Sequence, residues 1–265
     1  MYIDTHCHLN FAEFDEDRPM VIGNAKKAGV KKFIVPGVDL RSSLQAIELA
    51  RMHPGVIFAS VGFHPYEAQH SPDVSALEKL ISSNRPILPS SHLPIVAVGE
   101  CGLDYHLYKG ERALGKKQNQ KILFEKQLQL ALRYDLPIIV HCRDAFEDLF
   151  TILDSLSQMP RGVIHCFSGG LQELRFTQER HLFIGTDGNL TYSKQLQAIM
   201  PHIPLSSLLL ETDAPYLTPE PHRGTRNEPK YVSIVGKEVA KIQRTPNEKV
   251  ETQTSRNADT LFHLT

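Results

Sequence analysis

The sequence has no apolar run approaching the roughly 18–20 residues that a membrane-crossing helix needs, so no membrane partner is expected. It has no surplus of positive charge: 29 Lys and Arg stand against 30 Asp and Glu, a formal net charge of −1. A global field that would steer nucleic acid is thereby excluded, and any contact with DNA has to be local. No GxGxxG or GxxxxGK(S/T) loop follows the first apolar run, which argues against the nucleotide-binding open-sheet folds. Four cysteines occur, at Cys7, Cys101, Cys142 and Cys166, and none forms the CxxC pair of a structural zinc site. Low-complexity runs and internal repeats are also missing. The first residues, Met1–His6, lack a basic segment followed by an apolar one. Together with cysteines read as reduced, this leads to the expectation of a cytoplasmic protein.

What is present is 41% hydrophobic residues over 265 positions, enough for one substantial core. Short apolar runs lie at Tyr2–Thr5, Lys32–Pro36, Val56–Val61, Ile95–Val98, Pro137–Val140, Gly162–Ile164, His181–Ile184 and Ser207–Leu210. They are β-branched or Leu-rich, as parallel strands buried on both faces should be. Helical patterns separate them, at Pro19–Ala28, Leu44–Met52, Val74–Ser82, Gln120–Tyr134, Ala145–Leu156, Leu171–Gln178 and Lys194–Met200, and Tyr231–Gln243 closes the series. Strict alternation implies a parallel sheet with right-handed crossovers. Eight repeats in this length predict an α/β fold of the (β/α)8 TIM-barrel type, one domain over residues 1–265, with an open doubly wound sheet as the alternative. No exposed apolar helix calls for a partner, and a monomer is expected. Two longer loops stand out: Ser82–Pro94, rich in Pro and Ser, and His106–Asn119, which carries Lys109, Arg112, Lys116 and Lys117.

Residues able to bind a metal recur where the predicted strands end. His6 and His8 follow the first strand, His64 the third, Glu100 the fourth, His141 the fifth, His165 the sixth and Asp213 the eighth. In a barrel these ends converge on one face, where catalytic residues of the fold collect. His6 and His8 are two apart on an extended segment, so both rings face the same side. His6, His8, His141 and His165 with Glu100 and Asp213 supply ligands for two divalent ions, and such a pair suits in-line displacement at phosphorus. Imidazole and carboxylate donors accept Zn, Mg or Mn without choosing among them. Bland roles stand beside these: His64 as a hydrogen-bonded core residue, Glu100 as an arginine partner, Asp213 as a helix N-cap before Ala-Pro. Each cysteine directly follows a His or Glu of this set, so strand alternation predicts that all four point outward to the helix layer as packing residues.

At these residues the sequence resembles the TatD-type metal-dependent deoxyribonuclease family of the metallo-dependent hydrolase superfamily. The matching segments are Asp4–Leu9, Gly62–Pro65, Gly99–Tyr105, Gln120–Gln127 around Phe124, Leu136–Ala145 and His165–Gly169. They continue through Glu211–Leu217, Pro221–Gly224, Asn227–Pro229 and Asn257–Phe262, so the resemblance spans nearly the whole chain. It implies a TIM barrel, with His6, His8, Glu100 and Asp213 on one ion, Glu100, His141 and His165 on the other, and Glu100 bridging. It implies hydrolysis of DNA phosphodiesters, with nuclease members acting on 3′ ends of single strands. Departures fall on the substrate side: His106 where an aromatic residue is common, a longer Ser82–Pro94 segment, and Asp187, whose charge near a phosphate would repel it.

On this reading Asp213 is the general base for a metal-activated water, Glu100 bridges the ions, and His64 contacts a phosphate oxygen or assists the leaving group. Arg223 would anchor a second phosphate, with a surface ion pair as the alternative. The basic loop Lys109–Lys117 would follow a strand backbone, or simply be solvated. Two other functions remain open: a deaminase, lactonase or amidase on the same scaffold, because one site chemistry serves carbonyl and phosphoryl centres, and a non-enzymatic binding protein with a closed structural metal.

Overall fold

The computed structural model describes residues 1–84, 94–107 and 117–264. Most of the Pro- and Ser-rich loop, and Lys109, Arg112 and Lys116 of the basic loop, lie outside the described residues. Eight strands pair in parallel and in chain order: β1 (Tyr2–Asp4), β2 (Val30–Pro36), β3 (Ile57–Val61), β4 (Ile95–Asp104), β5 (Ile138–Arg143), β6 (Gly162–Ile164), β7 (Phe183–Thr186) and β8 (Leu208–Leu210). Helices alternate with them: α1 (Arg18–Lys27), α2 (Leu40–Met52), α3 (Ser75–Ser83), α4 (Lys117–Tyr134), α5 (Phe146–Asp154), α6 (Leu171–Glu179), α7 (Lys194–Ile199), α8 (Val232–Ile242) and α9 (Asn247–Phe262). The chain beyond β1 closes the ring against the chain beyond β8. Thr5 donates its N–H to Leu210 O (3.1 Å), Asp213 to His6 O (2.9 Å) and His8 to Ala214 O (2.7 Å). That seam brings the His6–His8 segment against Asp213.

Alternation along the strands sorts two cores. Phe33, Val35, Ile57, Ala59, Val61, Ile138, Val140, Leu208 and Leu210 face the helix layer. Their neighbours Ile34, Phe58, Ile139, Val163 and Leu209 fill the barrel interior. Ala258, Leu261 and Phe262 of α9, with Leu264, join that interior core, so α9 covers the end of the barrel away from the site. The expected series of helices ended at Tyr231–Gln243, and α9 follows it. Its sequence conceals it because Thr254, Ser255 and Asn257 are buried among Val250, Ala258, Leu261 and Phe262 and break the apolar period. Asn257 is satisfied there by donating to Leu205 O and Leu208 O (2.7 and 2.8 Å). Replacing Phe262 with Ala is expected to cost about 3–5 kcal/mol, the range for emptying a large buried ring. Chemical denaturation measures this, and metal affinity of the folded protein should not change.

Two further departures concern strand ends. Glu100 and His141 were expected just beyond their strands, yet β4 continues to Asp104 and β5 to Arg143, pairing Cys101 with Val140 and Asp104 with Arg143. Glycines normally weaken a strand, but Gly102 is what lets this one continue. Its φ is +145°, and a Cβ there would lie 2.0 Å from His141 O. All four cysteines are free. Cys7, Cys101 and Cys142 pack in the helix-side core as expected. Cys166 does not: it lies beyond β6 with φ 45°, outside the extended conformation on which alternation depends, and it is absent from that core; it and Cys142 both line the cavity above the barrel mouth.

Candidate metal centre

The barrel mouth opens into a cavity of about 940 Å³, and His8, His64, Glu100, His141, His165 and Asp213 are among its lining residues. His6 lies beneath them, fully buried. The structure therefore brings together all the predicted histidines and both carboxylates.

The contacts divide at Glu100. Its Oε2 is 3.3 Å from His6 Nε2 and 3.7 Å from His8 Nε2. Asp213 Oδ1 is 3.6 and 3.4 Å from the same two nitrogens, which are 3.3 Å apart. Its other oxygen, Oε1, is 2.9 Å from both His141 Nδ1 and His165 Nε2, themselves 3.2 Å apart. Bonds of about 2.0–2.2 Å to a tetrahedral ion give ligand–ligand edges of roughly 3.3–3.6 Å. The first group has that spacing, and its lone-pair atoms far outnumber the hydrogens available to join them. The Nδ1 atoms of His6, His8 and His165 are buried without a hydrogen-bond partner, with Glu211 Oε1 the carboxylate nearest to His165 Nδ1, at 3.9 Å. The donor set fits a cation.

The electrostatics agree. Burial would raise the Glu100 carboxyl, but the charge of His165 and hydrogen bonds from His141 and His165 hold it well below the ordinary range. Burial likewise opposes ionisation of Asp213, and the His8 hydrogen bond with the charges of His6 and His8 outweighs it. Burial and then the charge of His165 push His6 down to about 4, which keeps its lone pair free.

Supporting residues fix the geometry. Asp4, buried beneath the seam, accepts from Thr212 N (3.0 Å), Thr212 Oγ1 (2.6 Å) and His6 N (3.3 Å), tying the two ligand-bearing segments together. Asp213 adopts φ 55°, a left-handed conformation that Asp tolerates better than most residues, and it starts no helix, so the N-cap alternative falls. Gly185 leaves room for Glu211: a Cβ there would lie 2.5 Å from its Oε2. Burial, then the charge of Asp187, raises the Glu211 carboxyl well above its ordinary value.

Asp104 carried no role in the sequence reading. Its Oδ2 lies 3.2 Å from His141 Nε2 and accepts that N–H. Burial is overcome by hydrogen bonds to Asp104 and Glu100, which raise the His141 pKa to about 9, so a bound ion would have to displace the Nδ1 proton while Asp104 keeps the one on Nε2. Asp104→Ala is expected to weaken metal binding about 10–100-fold, the usual effect of losing such a support, and isothermal titration of metal-free protein checks it. His64 behaves differently. Its Nδ1 accepts from Tyr66 N (3.2 Å), which puts the ring proton on Nε2, 3.6 Å from Glu100 Oε1. Burial and the charge of His141 lower its pKa to about 3, so it stays neutral and offers an N–H rather than a lone pair.

Three sequence-singled residues lie elsewhere. Arg223 is outside the cavity lining, its guanidinium 4.1 Å above the Tyr192 ring. His106 Nδ1 pairs with Asp144 Oδ2 (2.9 Å). Asp187 is buried and accepts from Asn189 N (2.7 Å), with burial raising its pKa to about 6. One carboxylate oxygen thus accepts from the backbone of its own loop.

The family model TatD related DNase matches residues 3–263. The chain is 35% identical over 269 residues to YabD, an uncharacterized metal-dependent hydrolase of Bacillus subtilis (strain 168), covering all of both chains. It is 34% identical over 270 residues to the 3′-5′ ssDNA/RNA exonuclease TatD of Salmonella typhimurium (strain LT2), covering 98% of each. Among solved structures it resembles YJJV, a TatD homolog of Escherichia coli K12, with a TM-score of 0.86 and 32% identity, over 99% of this chain and 98% of that one.

Proposed function

The chain belongs to the TatD related DNase family of metal-dependent hydrolases, and on that premise we propose that it removes nucleotides from the 3′ end of single-stranded nucleic acid, using two divalent ions. The observation that carries this reading is the division of Glu100, with one oxygen in each of two donor groups. His6, His8, Glu100 and Asp213 would hold one ion; Glu100, His141 and His165 would hold the other. When bound, Zn, Mn or Mg ions supply Lewis acidity and an activated water near neutral pH.

The chain's own groups do the rest. Asp213, held ionised, accepts the proton of the attacking water. His64, neutral and bearing its proton on Nε2, donates a hydrogen bond to a phosphoryl oxygen. Its depressed pKa leaves it without a second proton near neutral pH, so it is not placed to protonate the leaving group. With Arg223 stacked on Tyr192, its part in anchoring a distant phosphate is confined to strands that run beyond the cavity. No helix among the described residues is long and apolar enough to cross a membrane.

The test is product analysis of a 5′-labelled single-stranded DNA oligomer with metal-free protein and with protein given Mg, Mn or Zn. Stepwise shortening from the 3′ end, dependent on metal and abolished by chelation, is the expected result. Intact DNA under every metal would transfer the assignment to a carbonyl-directed hydrolase.

A further inference from the structure

Among the exposed large apolar side chains of the described residues, Tyr66 and Tyr216 are the two that line the cavity, at 44% and 49% exposure. Among the described residues neither hydroxyl has a hydrogen-bond partner. By contrast, the hydroxyls of Tyr2, Tyr105 and Tyr134 bind Asn247, Asp148 and Glu78. An aromatic ring left half in water beside a catalytic centre, with its polar end unused, offers its face.

Both tyrosines are held by their backbones. Tyr216 N donates to Asp213 O (2.8 Å), and Asn227 Nδ2 binds both Tyr216 O and Thr212 O. Its ring meets His8 and Phe11 edge-on, with centroids 6.3 and 6.5 Å away. Tyr66 N donates to His64 Nδ1, and His64 Nε2 faces Glu100 Oε1. Tyr216 is therefore tied to the His6–His8–Asp213 group, and Tyr66, through His64, to the side of Glu100 that faces His141 and His165.

We infer that Tyr216 and Tyr66 are stacking platforms for the two bases that flank the scissile phosphate. A phosphodiester lying across Glu100 carries one nucleoside toward each tyrosine. Every base has a π-face, so stacking recognises a single strand without reading its sequence, and a duplex, whose bases are already stacked, gains nothing from it. Rigid backbones on both platforms keep the ordering cost of binding low. The inference rests on the nuclease reading and adds what that reading lacks: a sequence-tolerant grip on unpaired bases in a chain without a positive field.

The experiment compares 5′-labelled oligomers that end in normal nucleotides with oligomers whose terminal or penultimate 3′ residue is a base-less tetrahydrofuran nucleotide. The readout is the ratio of kcat/KM for normal over base-less ends. The metal-loaded protein is expected to favour normal ends by about 5- to 100-fold at each position. Tyr216→Ala should bring the ratio toward one at one position and Tyr66→Ala at the other, while Tyr216→Phe and Tyr66→Phe, which keep the ring, should retain it. Equal cutting of normal and base-less ends, wild-type ratios in both Ala variants, or loss of discrimination in the Phe variants would overturn the inference while leaving the nuclease reading intact. If no oligomer is cut, the nuclease reading fails and the stacking platforms fall with it.

Discussion

Asp213→Asn is expected to lower kcat by about a thousandfold or more while the protein still unfolds in one cooperative transition. Positioned general bases contribute roughly 10²–10⁴ in rate, and this one also helps to hold a metal. The carboxylate sits 3.4–3.6 Å from the Nε2 atoms of His8 and His6, whose field keeps it ionised. Asn reproduces its shape and supplies no basic lone pair. It is also among the few residues that accept the left-handed backbone found at this position, so the loop has no reason to rearrange. Steady-state kinetics and a thermal melt, measured on the same preparation, separate chemistry from folding. Full activity in the variant would remove Asp213 from its role.

Glu100→Gln is expected to be more severe. Each Glu100 oxygen serves a different donor group, and Gln turns one of them into an amide nitrogen that cannot ligate a cation. The site also loses a negative charge that five buried or largely buried histidines face. One ion should be lost outright and the other bound more weakly. Elemental analysis after dialysis should therefore show a fall from two ions per chain to one or fewer, with hydrolysis reduced to background. Retention of two ions would mean that the groups do not depend on a shared carboxylate.

The strands were legible in the sequence because parallel strands buried on both faces read as bare apolar runs, and all eight lie where those runs lie. The ligand set was legible for a related reason: a histidine or carboxylate at the end of an apolar run has few structural uses. The parts that escaped depend on neighbours remote in the chain. Asp104 acquires its meaning from His141, 37 positions away, and Asp4 from Thr212, 208 positions away. No local pattern announces either contact, although both residues lie within segments that carry the family resemblance. The apolar run of the fourth strand stops at Val98, and the close approach of Gly102 to His141 O, which lets β4 and β5 run on together, leaves no mark in it. Helix α9 was hidden because Thr254, Ser255 and Asn257 interrupt its apolar buried face, and the carbonyls that satisfy Ser255 and Asn257 belong to remote parts of the chain. Cys166 was misplaced because alternation ends where the strand ends, one residue before His165.

The central claim is that Glu100 stands between two ions. Anomalous diffraction from crystals equilibrated with manganese tests it most directly. Two peaks about 3.5–4 Å apart, one beside Glu100 Oε2 with His6, His8 and Asp213 and the other beside Oε1 with His141 and His165, are the predicted result. A single peak, or peaks that leave Glu100 uncoordinated, would contradict it.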